Sequence, residues 1–564
     1  MSSLAYSALK VFLRQVTGNY FRNIHVTGVE NMPMEGPTIL CCNHSNQFMD
    51  GMLIISQCPR PLSFCFAASS FNKPLVGYLA KKINVIPVYR AEDSKMNGKG
   101  KIIMTSDTDI QGFKTKFISD PKKNKNFKLG VHSIIIKKKY KLMVEKIIDE
   151  EHIKVRSDPK IFEILKKEDK QNFQFVPKLD NSLMFKETCH KLKEEKAICI
   201  FPEGTSHDRT HLLQLKPGVA YMALEAMANY GVKGIKIISC GFTYYSRDEF
   251  RSDVVLQFGV PFEIPESLGE AFKVNKKQAI DLVLKIVETQ LRSTILTAPT
   301  YKEYMLIKML RNLYIPSDSE ISCEISTDLA RRISHFYNSS KDNPDTKQLT
   351  KKVMEYMDIL EKLGLEDNDF KGINIKSNDK NMLIIKFLFS LILFFIGLLL
   401  AFPMFILVVP LAKWVRVIAE RERAKALEKN PNKIEAKDVV SSVKVVNFVK
   451  YLPIVGLFWV LGFYKIANYF LYSFTTVNLF FIGCISFLFY GYLSINIFDV
   501  LKHHLKTMKT LFYYFIVPRG FDYLKDMRKK LHKKVKDFVN ENIKDTPYEN
   551  NRIINFNKER TFSL

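Results

Sequence analysis

The stretch CCNHSNQFMD, residues 41 to 50, places His44 and Asp50 six positions apart directly after the apolar run TILCC. Neither the one-face spacing of a helix nor the alternation of a strand brings such residues together, so a turn must intervene. An aspartate that accepts the imidazole Nδ1 proton leaves Nε2 free to take a proton from an alcohol, and it stabilises the imidazolium that forms. The pair is predicted to be a general base without its own nucleophile. A loop histidine beside a helix-capping aspartate is the structural alternative.

A second chemical signal is the stretch FPEGTSHDRTHLLQLKPGVAYMALEA, residues 201 to 226. A strand is expected to end at Phe201, and Glu203, Gly204 and Thr205 are predicted to form a turn whose backbone N–H groups could face an anion. Lys216 then precedes a predicted helix, whose N-terminus is another favourable place for a phosphate. The stretch therefore predicts an anion pocket.

A third signal is Arg90, which ends the apolar stretch NVIPVYRAED. Its planar guanidinium suits bidentate contact with a phosphate. Together the three signals predict a general base beside a phosphate pocket. The sequence shows no metal-ligand spacing, no P-loop and no GxGxxG pattern, so neither a metal nor a cofactor is predicted.

The overall charge favours an anionic partner. The 564 residues include 84 Lys and Arg against 58 Asp and Glu, a formal net charge of +26. The partner could be a phosphorylated substrate, an acidic membrane face or nucleic acid. Nucleic acid is disfavoured because no recognition module and no basic stripe interleaved with stacking aromatic residues is present. The nine cysteines form no CxxC pair and are predicted to be reduced, structural thiols of a cytosol-facing protein.

The first part of the chain alternates short apolar runs with helical patterns, which predicts a mostly parallel sheet flanked by helices. TILCC, AICIF, IKIISCGF and VVLQFG are the predicted strands, and residues 182–195 and 217–229 the predicted helices. At the N-terminus an apolar stripe predicts an amphipathic helix, lying either on a membrane surface or on the core of its own domain. The stripe comprises Ala5, Ala8, Leu9, Phe12, Leu13 and Val16.

The second part is predicted to be an α-helical membrane region. The stretch 382–411 carries one charge, Lys386, over 30 residues and belongs in lipid. It could be a single pass, or a re-entrant hairpin broken at Pro403 and Pro410. Two further apolar stretches, 451–470 and 474–498, predict a membrane hairpin.

These patterns divide the chain into four parts, and both basic stretches, 413–450 and 501–564, are predicted to prefer the cytosolic side. The predicted parts are an α/β domain over 1–315 with a lysine-rich insertion of small strands at 93–157, a helical spacer over 316–381, membrane-embedded helices over 382–500 with the basic loop 413–450, and a basic tail over 501–564.

The sequence resembles the glycerolipid acyltransferases, specifically the fungal type that acylates glycerol-3-phosphate and dihydroxyacetone phosphate. The resemblance covers roughly residues 10 to 500. It rests, in order, on NHSNQFMD, AASSFNKPLVGYLAKKINVIPVYRAED, FPEGTSHDRTHLLQLKPGVAYMALEA and CGFTYYSRDEFRSDVVLQFG, and more weakly on ALEKNPNKIEAKDVVSSVKVV.

The resemblance implies that the α/β part is an acyltransferase domain. His44 would deprotonate the sn-1 hydroxyl of glycerol-3-phosphate, which attacks the thioester of acyl-CoA, while Asp50 orients His44. Arg90, Glu203 and Gly204 fall on motif positions for the phosphorylated acceptor. Glu203 is itself an anion and is expected to hold the loop or basic residues in place.

The resemblance also implies partners and a place in the cell. The partners are acyl-CoA as co-substrate, glycerol-3-phosphate or dihydroxyacetone phosphate, and a lipid bilayer. The place is the endoplasmic reticulum membrane, with the catalytic domain facing the cytosol.

Three departures from the wider superfamily bear on these expectations. Five residues rather than four separate His44 from Asp50, as in the fungal branch. Ser206 stands where the wider pattern has an arginine, so that Arg209 or Lys216 is the candidate for that charge. Ile238 and Ser239 stand where it has Val-Pro.

Several alternatives remain open. Within the enzyme class, the chain could be a lysophospholipid acyltransferase, or it could form an acyl-enzyme through Cys41 or Cys42, for which core packing is the alternative role. Outside it, the chain could be a membrane-anchored lipid-binding scaffold. A scaffold would bind without turnover.

Overall fold

We describe the fold from a computed structural model. It describes residues 3–68, 77, 85–89, 95–115, 117, 127–136, 140–156, 159–165, 170–179, 181–315, 323–367, 380–429, 433–470 and 475–543.

The described strands, in chain order, fall into two sheets. They are β1 (Ile24–Thr27), β2 (Thr38–Cys42), β3 (Leu62–Ala67), β4 (Ile86–Val88), β5 (Met96–Asn97), β6 (Lys101–Met104), β7 (Asp109–Phe113), β8 (Phe127–Ile136), β9 (Tyr140–Ile147), β10 (His152–Arg156), β11 (Phe173–Leu179), β12 (Ala197–Ile200), β13 (Lys236–Tyr244), β14 (Val254–Phe258) and β15 (Phe262–Glu263).

The described α-helices flank the first sheet and then form the second part of the chain. They are α1 (Ser3–Tyr20), α2 (Gln47–Gln57), α3 (Pro159–Leu165), α4 (Ser182–Lys193), α5 (Gly218–Tyr230), α6 (Glu266–Val274), α7 (Lys276–Thr294), α8 (Tyr301–Tyr314), α9 (Cys323–Ser340), α10 (Pro344–Leu363), α11 (Lys380–Lys429), α12 (Lys437–Phe470), α13 (Thr476–Ile516) and α14 (Pro518–Asn542).

The first sheet has the strand order β1-β14-β13-β2-β12-β3-β4, with β15 paired to β13. Its pairs are parallel except for those that β13 makes with β14 and β15. The predicted mostly parallel sheet flanked by helices is confirmed. The four predicted strands and two predicted helices all form, with bounds within one or two residues of those expected.

The central strand β2 shows why an apolar run becomes a buried strand. All five of its residues are buried, as expected for a strand covered by helices on both faces. Leu40 and Cys42 join the core beneath α1 and α2. Ile39 and Cys41 point to the opposite core, which α5 and α7 cover. The two-residue period of a strand thus divides one sequence run between two cores.

The predicted insertion is a separate antiparallel sheet. Its order is β5-β11-β8-β9-β10-β7-β6, and it has its own apolar core. The predicted end at residue 157 is too early, because β11 pairs with β8 over seven residues. The lysine-rich composition of this region hid the continuity of the sheet in the sequence.

The predicted spacer and tail form one helical bundle. Buried residues of α8, α9, α10 and α14 share a single core. The Arg528 guanidinium donates to both carboxylate oxygens of Asp367, at 2.8 and 3.1 Å, and the Tyr356 hydroxyl donates to the same carboxylate at 3.1 Å. The interpretation of 316–381 as a spacer is therefore wrong for its described helices, and α14 is a packed helix rather than a solvated tail.

Three helices, α11, α12 and α13, are long and apolar enough to cross a membrane. The stretch 382–411 lies within the helix α11, which includes Pro403 and Pro410. The single pass and the re-entrant hairpin both stay predictions. The helices α12 and α13 form the predicted antiparallel hairpin, in which Gly483 faces Val460. These apolar helices make the chain a membrane-associated protein.

The membrane hairpin returns to the first sheet's unit. Arg251, which follows β13, pairs with Asp499 in α13, and its Nε donates to Asp499 at 2.9 Å. The Arg251 Nη1 also donates to the backbone carbonyl of Phe21, which follows α1, at 2.9 Å. One buried guanidinium thereby joins the membrane region to the α/β unit.

The N-terminal helix α1 lies on the core of its own domain. Leu9 and Leu13 are buried against α2 and the sheet. Phe12, which the predicted stripe included, is 43% exposed. The core-covering interpretation is confirmed for the buried face, and the stripe is narrower than predicted.

Arg60 offers a test of how the N-terminal edge of the sheet is held. Its guanidinium donates to the carbonyls of Pro33 and Gly36, each at 2.8 Å, and to that of Glu195. We expect Arg60→Met to lower the free energy of unfolding by about 3 kcal/mol, because three backbone carbonyls lose a charged donor.

Equilibrium denaturation in detergent, followed by circular dichroism, measures this effect. Arg22→Met is the matched control, because Arg22 is half exposed and its contact with Asp253 is 3.6 Å long. Such an exposed pair contributes at most about 1 kcal/mol. Equal losses for the two variants would contradict the role given to Arg60.

Candidate active site

The candidate site lies at the carboxyl ends of three adjacent parallel strands. β2 lies between β12 and β13 in the sheet, and all three run in one direction. Their following loops therefore meet at one edge, which is where α/β sheets place ligand sites. This edge gathers His44 after β2, Glu203 after β12 and Tyr244 at the end of β13.

The predicted pair of His44 and Asp50 is in contact. The Nδ1 of His44 lies 3.0 Å from Oδ2 of Asp50. The turn of residues 43 to 46 joins β2 to α2, and Asp50 lies in the first turn of α2, where the helix dipole favours a carboxylate. Asp50 is fully buried, whereas 19% of the His44 side chain is exposed. The imidazole thus reaches the surface while its partner does not.

The buried Asp50 carboxylate has two further donors. The backbone N–H of Asn46 donates to Oδ2 at 2.7 Å, and the Tyr244 hydroxyl donates to Oδ1 at 2.5 Å. Burial, together with the charge of Asp50, raises the pKa of Tyr244 well above its usual value, so the hydroxyl stays protonated as a donor. Tyr244 was not predicted from the sequence, because its strand position within CGFTYY suggests only core packing.

The His44 ring is oriented by stacking. It lies on the ring of Phe201, with 4.2 Å between centroids and 23° between planes. With Nδ1 directed at Asp50, no hydrogen bond from the described residues occupies Nε2. The site therefore presents one ring nitrogen to an incoming molecule.

Glu203 holds the catalytic loops together. Its Oε1 accepts from the backbone N–H of His44, and its Oε2 accepts from that of Leu213, each at 2.8 Å. The His207 Nε2 lies 2.5 Å from Oε2, and its Nδ1 accepts from the backbone N–H of Arg209 at 3.2 Å, which assigns the His207 proton to Nε2. These contacts of Glu203 are all with the chain itself, as its charge led us to expect.

Gly204 is favoured by its backbone conformation, which residues with a Cβ rarely adopt. Its φ is +73°, and a Cβ at this position would lie 2.7 Å from Cε and Nζ of Lys216. The Lys216 side chain, which is exposed, therefore crosses over Gly204. The Gly204 N–H donates to the carbonyl of Phe201 at 3.0 Å, so the expectation that this N–H faces an anion is wrong.

The other residues singled out in the sequence lie in different parts of the structure. Thr205 and Arg209 are partly buried in the same turn. Arg90 lies outside the described residues. Ile238 and Ser239 lie inside β13 and not in a loop.

A small polar cavity lies behind the catalytic loop. Its volume is about 30 Å³, which is room for one or two water molecules. Burial, with nearby Arg209, lowers the pKa of His211 at its wall. Residues that line the cavity include Asn43, Ser45, Glu203, His207, Arg209 and Arg247.

The two cysteines beside His44 belong to the core. Cys41 and Cys42 are fully buried, and burial raises the pKa of both thiols well above the usual value. A thiol that remains protonated is a poor nucleophile. The core-packing interpretation is confirmed. Within the described part of the chain, no group of three or more His, Cys, Asp or Glu residues could hold a metal ion.

Two family models match the chain. The model described as Acyltransferase matches residues 23–109 and 173–243, which contain the His44 and Glu203 loops. The model described as Glycerol-3-phosphate acyltransferase 2 C-terminal domain matches residues 306–543. The segment between 109 and 173, which holds most of the second sheet, lies outside both.

Three curated relatives align over most of the chain. Glycerol-3-phosphate O-acyltransferase 2 of Saccharomyces cerevisiae is 30% identical over 77% of this chain and 62% of its own length. Glycerol-3-phosphate O-acyltransferase 1 of the same yeast is 28% identical over 95% and 71%. An uncharacterized acyltransferase of Schizosaccharomyces pombe is 29% identical over 92% and 78%.

These matches cover both halves of the chain and include the loops that carry the His44 and Asp50 pair. The chain thus joins a region that matches the Acyltransferase model to one that matches the C-terminal domain described for glycerol-3-phosphate acyltransferase 2.

Proposed function

We propose that the protein transfers a fatty acyl group from acyl-CoA to the sn-1 hydroxyl of glycerol-3-phosphate, and also accepts dihydroxyacetone phosphate. The observation that carries the proposal is the 3.0 Å contact between His44 Nδ1 and the buried Asp50 carboxylate. The yeast relatives named glycerol-3-phosphate O-acyltransferases support the choice of acceptor. The product is lysophosphatidate, so the reaction begins glycerolipid synthesis.

The proposed mechanism uses His44 as base and then as acid. Its Nε2 takes the hydroxyl proton as the oxygen attacks the thioester carbonyl. The tetrahedral intermediate collapses, the carbon–sulfur bond breaks, and the imidazolium returns the proton to the CoA thiolate. Asp50 stabilises the imidazolium, and Tyr244 and the Asn46 N–H hold Asp50 in place.

We assign the acceptor phosphate to basic residues of the site edge. Lys216 is exposed beside Gly204, and Arg209 lies in the same turn. Arg90 is assigned by sequence only. Thr205 is proposed as a hydroxyl donor, and Glu203 and Gly204 as residues that shape the turn without contacting phosphate.

We further propose that the protein works at the cytosolic face of the endoplasmic reticulum membrane. The described cysteines are all free thiols, in keeping with a reducing compartment. Lys433 and Lys444, which follow α11, contact the α/β unit, and so does Asp499 of α13. The two basic stretches and the loops that carry His44 and Glu203 therefore share one side of the membrane. Lysine and arginine residues in short loops beside membrane helices favour a cytosolic position for those loops.

An acceptor assay tests the proposed function. Purified protein in detergent or lipid vesicles is incubated with labelled acyl-CoA and, separately, with glycerol-3-phosphate, dihydroxyacetone phosphate or lysophosphatidate. We expect label in a lysophosphatidate product from glycerol-3-phosphate. Acylation of lysophosphatidate alone would assign the chain to the lysophospholipid acyltransferases, and binding without turnover would make it a scaffold.

Replacing either member of the pair tests the general base. We expect His44→Ala and Asp50→Asn to lower kcat by about 10² to 10⁴ while acyl-CoA binding persists, because the base acts in the transition state. Initial rates and ligand-binding titration measure the two effects. His152→Ala is the matched control, since His152 also contacts an aspartate, Asp149, at 2.9 Å but lies exposed in the second sheet. Unchanged turnover in His44→Ala would remove the mechanism.

Tyr244→Phe tests the donor behind Asp50. The variant keeps the ring and removes one hydroxyl, so we expect kcat to fall about tenfold, in line with roughly 1.5 kcal/mol for a hydrogen bond to a charged group. The KM values should stay within twofold. Tyr356→Phe removes a comparable buried tyrosine–aspartate bond in the helical bundle and should leave kcat unchanged. Similar losses in both variants would mean that Tyr244 serves stability alone.

A further inference from the structure

The segment of residues 433–449, between α11 and the apolar part of α12, is inserted into the catalytic unit. Asp438, Ser441 and Ser442 have no exposed surface. Val445 belongs to the apolar core beneath α1 and α2, and Val449 packs against it. The segment is therefore part of the catalytic unit's interior, although it comes from the membrane half of the chain.

The beginning of the segment binds the loop that carries Glu203. Lys433 Nζ donates to the carbonyl and the hydroxyl of Ser206, at 3.0 and 3.3 Å, and forms an ion pair with Asp438. The carboxylate of Asp208 accepts from the backbone N–H groups of residues 434, 435 and 437, at 2.8, 2.6 and 3.3 Å. Although burial opposes it, this set of hydrogen bonds lowers the pKa of Asp208, so its charge persists at neutral pH.

Two serines in the first turn and a half of α12 bind the loop that carries His44. The Ser442 hydroxyl accepts from the backbone N–H of Met49 at 3.1 Å and donates to the backbone carbonyl of Asn46 at 3.2 Å. The Ser441 hydroxyl accepts from Tyr20 at 2.7 Å and donates to the carbonyl of Arg247. That same carbonyl accepts from the Asn46 side chain at 2.9 Å.

These contacts reach the base through two intermediate residues, Asn46 and Asp50. Asn46, which Ser442 holds by its carbonyl, donates its own N–H to Asp50, and Asp50 contacts His44. Met49, which Ser442 holds by its N–H, is the residue before Asp50. A shift of this backbone would move the carboxylate relative to the imidazole, and displacements of about 1 Å cost large factors in rate.

We propose that Ser442 is a positioning residue for the general base, and that docking of the 433–449 segment sets the geometry of the His44 and Asp50 pair. The inference rests on the proposed function, because it concerns the same base. It assigns a catalytic purpose to the C-terminal domain that goes beyond attachment to lipid.

The same helix fixes the distance between the base and the membrane. α12 is continuous from Lys437 to Phe470, and its apolar stretch begins at Tyr451. Nine residues separate Ser442 from Tyr451, a rise of about 14 Å along the helix. Tyr451 packs against Trp414 with 4.5 Å between ring centroids, and such aromatic pairs are typical of the membrane–water boundary. The base thus stands at a set height above the lipid that receives the product.

Ser442→Ala tests the proposal without threatening the fold. The Met49 N–H keeps a second acceptor, the Asn46 carbonyl at 2.8 Å, so no buried donor is orphaned. We expect kcat to fall about tenfold with both KM values within twofold, and amide hydrogen exchange at residues 44–50 to become at least tenfold faster. Ser442→Thr, which keeps the hydroxyl, should restore both to within threefold of the wild type.

Ser494→Ala is the matched control. Ser494 is a buried serine of α13, and the variant should change neither kcat nor exchange at residues 44–50. The proposal is overturned if exchange at these residues is unchanged in Ser442→Ala, whatever the rate, or if exchange quickens while kcat stays within twofold. It is also overturned if Ser494→Ala behaves like Ser442→Ala.

The exchange measurement needs no substrate, which separates the two hypotheses. A wild-type protein that fails to acylate glycerol-3-phosphate removes the proposed function. Faster exchange in Ser442→Ala would then still support the positioning of the loop, with kcat measured on whichever acceptor the wild type uses.

Discussion

A carboxylate without contact to water is stable in a protein only when hydrogen bonds replace its hydration. Asp50 meets this condition through His44, the Asn46 N–H and the Tyr244 hydroxyl. Each donor comes from a different place: the loop after β2, the start of α2 and the end of β13. The imidazole is held at a useful angle only while all of these elements keep their positions, so the sheet order and the chemistry are coupled.

The same physical rule explains the other acidic residues around the site. Glu203 accepts from two backbone N–H groups, and Asp208 accepts from three. In a chain of net charge +26, these buried or half-buried carboxylates do not repel an anionic substrate from the surface. Instead, each carboxylate joins two loops by accepting hydrogen bonds from backbone N–H groups, which are donors that any sequence provides.

The membrane half of the chain is in direct contact with this arrangement. α12 begins inside the catalytic unit and continues into an apolar stretch, while α13 returns to Arg251 through Asp499. The start of α12 packs against the loop that carries His44, and a packed interior resists small displacements. The helical bundle of α8, α9, α10 and α14 has its own core, and Tyr304 of α8 lines the cavity beside the site.

The sequence predicted individual helices and strands well, but it did not predict which elements pack against them. The short apolar runs of β2 and β12 marked strands because four or five consecutive apolar residues are typical of a strand buried on both faces. The pattern of residues 316–381 predicted helices, but a helical pattern does not identify the element that packs against it. The interpretation as a spacer was wrong because α14, which shares a core with these helices, lies far along the chain. Lys216 and Gly204 could be named from their motif, whereas their close contact could not.

By itself, the sequence determined the candidate base His44, the turn that joins it to Asp50, and the apolar stretches that make the protein membrane-associated. These depend on residue type and on contacts between near neighbours. Tertiary structure alone decided that Tyr244 and Ser442 complete the site. They lie 194 and 396 residues from their partners Asp50 and Asn46, and no local periodicity reports a hydrogen bond across such a separation. Only the order of strands in the sheet and the docking of α12 bring them there.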